Sequence, residues 1–180
     1  MSRLNNLLIV AGTGRNSGKT TIACNIIGRF SYLNIIAIKI SPHFHEACEG
    51  LELIKNKRDY KIYRDTNAGN SKDSSRMLAA GASTAYFIQV YDHHLCRAFE
   101  ALLDHTGPQH IFVAESPALR KCTEPGVLII ADNPGSANKK DLGEIMDKAD
   151  IIIHTEFCRN EISELSYNKK DGWKLKPGTS

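Results

Sequence analysis

Ten consecutive residues carry most of the chemistry in this sequence: Gly12-Thr13-Gly14-Arg15-Asn16-Ser17-Gly18-Lys19-Thr20-Thr21. Glycines at this density let backbone N–H groups turn inward together, and such a concavity in front of a helix start takes an anion. Lys19 adds a point charge for the β and γ phosphates of a nucleotide, and the Thr20 hydroxyl suits Mg²⁺. Thr13, Gly14, Arg15, Asn16, Ser17, Gly18, Lys19, Thr20 and Thr21 are therefore expected to bind the nucleotide. The spacing departs from the usual phosphate loop, because Thr13 stands where its first glycine belongs and Gly12 comes one position earlier.

A phosphate loop also needs carboxylates to hold a metal. Glu115 closes the apolar run Ile111-Phe112-Val113-Ala114, so a strand delivers it to the ligand end of a sheet as a metal or water-positioning group; its alternative is to cap the turn at Ser116-Pro117. Asp73, in Lys72-Asp73-Ser74-Ser75-Arg76, reads equally as a metal ligand and as a helix N-cap. Lys39, at the end of Ile38-Lys39-Ile40, either reaches the phosphates from the side or runs out to water. Lys19, Asp73 and Glu115 are the candidate catalytic residues, and Thr20, Asp73 and Glu115 the candidate Mg²⁺ ligands.

Other groupings carry less. His43, His45 and Cys48 lie close together without a second matching pair, so no closed zinc site is expected. His93 and His94, near Cys96, fall at a helix start and read as surface residues. Asn-Lys-x-Asp, a guanine-reading pattern, occurs at Asn138–Asp141 and Asn168–Asp171, but neither follows a strand directly. The loops at Asp132-Asn133-Pro134 and Thr155-Glu156 are equally well placed to meet a base.

These residues need positioning elements. Apolar runs at Leu7–Ala11, Ile35–Ile40, Thr84–Val90, His110–Ala114, Val127–Ala131 and Ile151–His154 read as strands buried on both faces, as in a parallel sheet. Helical faces lie between them: Ile22, Ala23, Ile26, Ile27 and Phe30; Leu95, Phe99, Leu102 and Leu103; Leu142, Ile145, Met146 and Ala149. The order predicts an α/β, three-layer sandwich of the P-loop NTPase type with a mostly parallel sheet. The interval from Ser41 to Asp73 offers no clear strand and reads as a basic loop insert. The residues from Asn168 to Ser180 read as a polar tail, with Trp173 as its one anchor.

Composition bounds the rest. A chain of 180 residues predicts one domain that needs neither a disulfide nor a structural metal. The net charge of +3 gives no reason to expect nucleic acid. Apolar runs are too short for a membrane span, and the first residues lack the core of a secretory signal. Five scattered cysteines without CxxC spacing make a cytoplasmic setting with reduced thiols the expectation.

From Gly12 to Glu115, the order of Asn16-Ser17-Gly18-Lys19-Thr20-Thr21, Ile38-Lys39, Lys72-Asp73-Ser74 with Ala80-Gly81-Ala82, and Glu115 resembles the molybdopterin-guanine dinucleotide biosynthesis protein B family. The resemblance implies a GTP-binding fold that forms homodimers, assists a partner enzyme in attaching a nucleotide to the molybdenum cofactor, and uses Thr20, Asp73 and Glu115 around metal and phosphate. The departures are local. Ser41-Pro42 precedes His43 where the family has a histidine directly after Ile-Lys, and Ser116 replaces a glycine after the late glutamate. The register from Gly12 to Thr20 is also similar to dethiobiotin synthetase and cobyrinate amidase, which activate a carboxylate with ATP. The expectation is thus Mg²⁺-dependent binding of GTP or ATP with slow hydrolysis, against two alternatives: an ATP-dependent small-molecule kinase or ligase, and a nucleotide-gated adaptor that does not hydrolyse.

Overall fold

The six apolar runs become strands of one sheet. In a computed structural model, which describes residues 2–14, 16–44, 46, 49–133, 142–154 and 162–176, these are β1 (Ser2–Gly12), β2 (Ile36–Ser41), β5 (Thr84–Val90), β6 (Phe112–Glu115), β7 (Thr123–Asp132) and β8 (Ile151–His154). They lie in the order β5-β2-β6-β1-β7-β8, and every neighbouring pair is parallel. Along β1, Leu7, Ile9 and Ala11 enter one core while Leu8 and Val10 enter the other. Continuous apolar sequence is what such two-sided burial requires.

Helices cover both faces. Ile22, Ala23, Ile26 and Ile27 of α1 (Lys19–Arg29) and Met77 of α2 (Asp73–Ala79) fill the core on one side. Leu95, Phe99 and Leu102 of α3 (Leu95–Thr106) fill the other. The arrangement is α/β with a mostly parallel sheet. Of the third helical stretch, the described part is a single turn, α4 (Glu144–Asp147), with Leu142, Ile145, Met146 and Ala149 packed against the α3-side core.

Three expectations are corrected. The interval from Ser41 to Asp73 is not a structureless insert: β3 (Leu51–Asn56) and β4 (Tyr60–Asp65) form a hairpin, and β4 joins the sheet antiparallel to β5. Charged residues break up its apolar pattern because β3 is the edge strand, where exposed charge discourages further pairing. The described part of the polar tail, residues 168–176, likewise enters a hairpin of β9 (Leu165–Asn168) and β10 (Gly172–Leu175). Trp173 is only 1% exposed, with ring contacts to Phe30 at 5.1 Å and Tyr167 at 5.2 Å. Finally, Cys96 at the start of α3 and Cys122 before β7 are joined as a disulfide, with Cα atoms 5.1 Å apart. Their separation of 26 residues hid a proximity that the sheet creates.

Among the described residues no helix is long and apolar enough to cross a membrane.

The buried indole makes the terminal hairpin part of the core. Trp173→Ala should destabilise the protein by about 3–5 kcal/mol, read as a lower urea midpoint at unchanged slope. A midpoint equal to the parent's would return residues 168–175 to the status of a tail.

Candidate functional site

Parallel register decides where two of the charged side chains meet. Lys39 of β2 and Glu115 of β6 are direct partners on adjacent strands, so both leave the sheet at the same level and on the same side. Lys39 Nζ lies 2.5 Å from Glu115 Oε1 and 2.7 Å from Asp73 Oδ2. Thr20 Oγ1, in the first turn of α1, lies 2.8 Å from Glu115 Oε2 and 3.1 Å from Asp73 Oδ1. One hydroxyl carries one proton, so Thr20 donates to one carboxylate at a time. Four elements, α1, β2, α2 and β6, thus each contribute one side chain to a closed cluster.

The alternatives left open by the sequence resolve here. The cap position of α2 belongs to Lys72, which makes no side-chain cap bond, and Asp73 turns toward Thr20 and Lys39 instead. Glu115 does not cap the following turn; Ser116 Oγ accepts the Leu119 N–H at 3.3 Å. Lys39 does not run out to water, being 19% exposed at its side chain and held between two acids.

Burial opposes charge on both partners of the Lys39–Asp73 pair, and their contacts overcome it. Desolvation would lower the Lys39 pKa, but Glu115 and Asp73 together raise it above the ordinary lysine value. Desolvation would raise the Asp73 pKa, but Lys39, Thr20 and Arg76 hold it below the ordinary carboxylate value.

The loop before α1 explains its unusual glycine spacing. A Cβ on Gly12 would stand 2.3 Å from Ser17 Oγ and 2.6 Å from Lys19 Cγ, because the Lys19 stem folds back over that position. Gly12 is needed where the lysine crosses. Gly18 at φ 83° and Asn16 at φ 61° take the left-handed conformation that turns the backbone into α1. Lys19 Nζ donates to the Gly14 carbonyl and, at 3.0 Å, to Ser17 Oγ. Thr13 faces elsewhere, its Oγ1 bonding Asp132 Oδ1 at 2.8 Å, which ties the loop to the end of β7.

Loop and cluster together line a cleft of about 470 Å³ reached by Asn16, Ser17, Gly18, Lys19, Thr20 and Thr21 from one side and by Lys39, Asp73, Arg76 and Glu115 from the other. Among these residues three cations face two carboxylates, an excess that suits an anionic ligand. The hydroxyl and carboxylate oxygens of Thr20, Asp73 and Glu115 are hard donors that fit Mg²⁺. No cluster of three His, Cys, Asp or Glu exists among the described residues, and Mg²⁺ characteristically uses one or two carboxylates plus substrate phosphates.

Sequence reasoning missed Arg76, which lies 3.7 Å from Asp73; its position three residues after Asp73, one helical turn away, was the available signal. Gly14 contributes its carbonyl to Lys19 rather than lining this cleft. Of the basic residues between Ser41 and Asp73, Arg64 pairs with Glu52 across the hairpin and Lys55 donates to the Ala101 carbonyl. Asn168–Asp171 forms the β9–β10 turn, where Asn168 Oδ1 accepts the N–H groups of Lys170 and Asp171. The neighbouring Gly172 lies against Asn5 near the start of β1, at the opposite end of that strand from the loop. Asn133 Nδ2 lies 3.5 Å from the Asn16 carbonyl, so the 132–133 candidate does adjoin the loop. Arg15, His45, Cys48, Pro134, Asn138–Asp141, Thr155 and Glu156 lie outside the described residues. No family model, curated protein or solved structure matches this chain.

Lys39→Met leaves Glu115 buried without its cation and should cost about 3 kcal/mol at neutral pH. The variant also tests linkage. Asp73's depressed pKa contributes stability above the ordinary carboxylate range and loses it as pH falls through the folded value. Denaturation across an acid pH series should therefore show a shallower loss in Lys39→Met than in the parent, and parallel curves would mean the ion pair contributes nothing.

Proposed function

We propose that this chain binds a purine nucleoside triphosphate with Mg²⁺ through the loop from Gly12 to Thr21 and hydrolyses it slowly, as an accessory protein in cofactor metabolism. GTP is the preferred base reading and ATP the other. The observation that carries the proposal is the convergence of Thr20, Asp73 and Glu115, with Lys39, at the mouth of a glycine-rich loop leading from a buried strand into a helix. Packing alone gives no reason to gather these charges there.

In this reading α1, which starts without a side-chain cap, offers its first N–H groups to the phosphates. Lys19 exchanges the uncharged Gly14 carbonyl for an anionic phosphate oxygen, since an ammonium is held more strongly by an acceptor of opposite charge than by a neutral one. Thr20, Asp73 and Glu115 would hold Mg²⁺, which when bound offsets the phosphate charge and polarises the γ-phosphoryl group. Lys39 keeps the two acids together and adds positive charge beside them. Asp73 and Glu115 are also the groups able to orient an attacking water. An accessory role in molybdenum-cofactor assembly, with a partner enzyme and a second copy of the chain, follows from the family resemblance alone.

A second cleft favours a second reading. It measures about 660 Å³ and shares Lys19, Lys39 and Glu115 with the first, but continues past Ile40, Val90, Leu95, Pro117 and Ala118. A small molecule seated there would meet the phosphate end of a nucleotide, as a kinase or ligase requires. The transfer would form a bond from an acceptor oxygen to the γ phosphorus and release the nucleoside diphosphate.

Melting temperature with GTP and with ATP, each with and without Mg²⁺, tests binding. Ligand at one hundredfold above Kd should stabilise by about 2.7 kcal/mol, or roughly 5–10 °C here, and Lys19→Ala should abolish most of the shift. No shift with either nucleotide would falsify the proposal. The readings separate by turnover: diphosphate release unaffected by carboxylate and hydroxyl compounds supports hydrolysis, whereas release that depends on one of them, with a phosphorylated product, supports transfer. Binding without turnover supports the adaptor.

A further inference from the structure

Asp65, the last residue of β4, is a buried acid that the proposed chemistry does not use. It is 3% exposed. Its Oδ2 accepts the hydroxyls of Ser74 and Ser75, each at 2.7 Å, and its Oδ1 accepts the Asn67 N–H at 3.0 Å. Burying a carboxylate is costly unless its oxygens are satisfied, and here three donors converge on it. Two of them come from the residues directly after Asp73. Ser74 and Ser75 are themselves buried, so their hydroxyls have a fixed partner rather than water.

That placement matters because α2 cannot fix its own start. Seven residues are too few for a helix to persist by backbone bonds alone, and its cap residue Lys72 makes no side-chain cap bond. Tertiary contacts must hold its first turn. The hairpin supplies them: beside the Asp65 carboxylate, Lys72 Nζ donates to the Glu49 carbonyl at 2.9 Å, and the Thr66 N–H bonds the Gly50 carbonyl at 2.8 Å to close the hairpin base. Asp65 itself is pinned by two ladders, opposite Leu51 on β3 and Ala85 on β5.

We propose that Asp65 is a positioning residue: by anchoring Ser74 and Ser75 it sets the first turn of α2 so that Asp73 reaches Thr20 and Lys39. The hairpin β3–β4 is then a buttress for Asp73. What Asp73 does at that point rests on the proposed nucleotide reading; where Asp65 puts it does not.

The experiment titrates Mg²⁺ into the GTP or ATP complexes of the parent, Asp65→Ala, Asp65→Asn and the double variant Ser74→Ala/Ser75→Ala, and measures nucleotide affinity separately in EDTA. Loss of an outer partner that orients a metal ligand should weaken Mg²⁺ binding about tenfold or more, with metal-free nucleotide affinity unchanged. Asp65→Asn keeps an acceptor oxygen and should stay near the parent, whereas the double serine variant should follow Asp65→Ala. A merely structural role would lower every melting temperature and leave the Mg²⁺ midpoint in place, and that result overturns the proposal. Equal losses of metal-free nucleotide and Mg²⁺ binding also overturn it. If Asp65→Ala does not fold, the double serine variant carries the test. If the parent answers to no Mg²⁺–nucleotide complex, the functional reading falls, and a crystal structure of the double serine variant decides positioning. Asp73 beyond hydrogen-bond reach of Thr20 supports it, and Asp73 in place overturns it.

Discussion

Two carboxylates that approach the same hydroxyl repel each other, and one of them, Glu115, is almost wholly removed from water. Lys39 makes the arrangement tenable. Its ammonium touches both acids, and register places it beside Glu115 without any loop having to close. The ion pair thus offsets the repulsion between the two acids, and it links the central strands to α2, an element outside the parallel part of the sheet.

The same economy governs the loop. Gly12 is bare because the Lys19 stem occupies the space a Cβ would need, and Thr13 is spent on tethering the loop to Asp132. A glycine register that departs from the familiar spacing is therefore a consequence of how Lys19 packs. The two lysines also differ in kind. Lys39 is bound to carboxylates, whereas Lys19 has a carbonyl and a hydroxyl among its partners, contacts that an incoming anion is able to outcompete. One holds the site together and the other is in a position to change partners.

Much of this was legible from residue order. Thr84–Val90 and Ile151–His154 are strands at the bounds their apolar runs predict, because burial on both faces leaves an uninterrupted signal. Thr20, Asp73 and Glu115 were legible as candidate oxygen donors by residue type alone. Their mutual contacts were not, because pairing register is a property of the sheet and no local pattern encodes that Lys39 faces Glu115. The β3–β4 hairpin escaped because Glu52 and Lys55 interrupt the pattern of the edge strand β3, and Lys61 and Arg64 that of β4. Cys96 and Cys122 escaped for the reason that hid Lys39–Glu115: proximity across the fold leaves no mark on spacing.

The two clefts share Lys19, Lys39 and Glu115, and this has a physical consequence whichever chemistry the site performs. Charges about 4 Å apart interact by about 4 kcal/mol near a protein surface, against about 1 kcal/mol in open water. An occupant of one cleft that draws Lys19 or Glu115 toward itself changes the charge presented to the other. Coupling of that kind is reciprocal: a ligand in one cleft that reorganises these side chains alters what the other accepts, and a ligand in the other alters the first by the same factor. The three proposed readings, hydrolysis, transfer and gated binding, would therefore draw on one shared wall, and what would distinguish them is whether water, an acceptor oxygen or nothing stands on its far side.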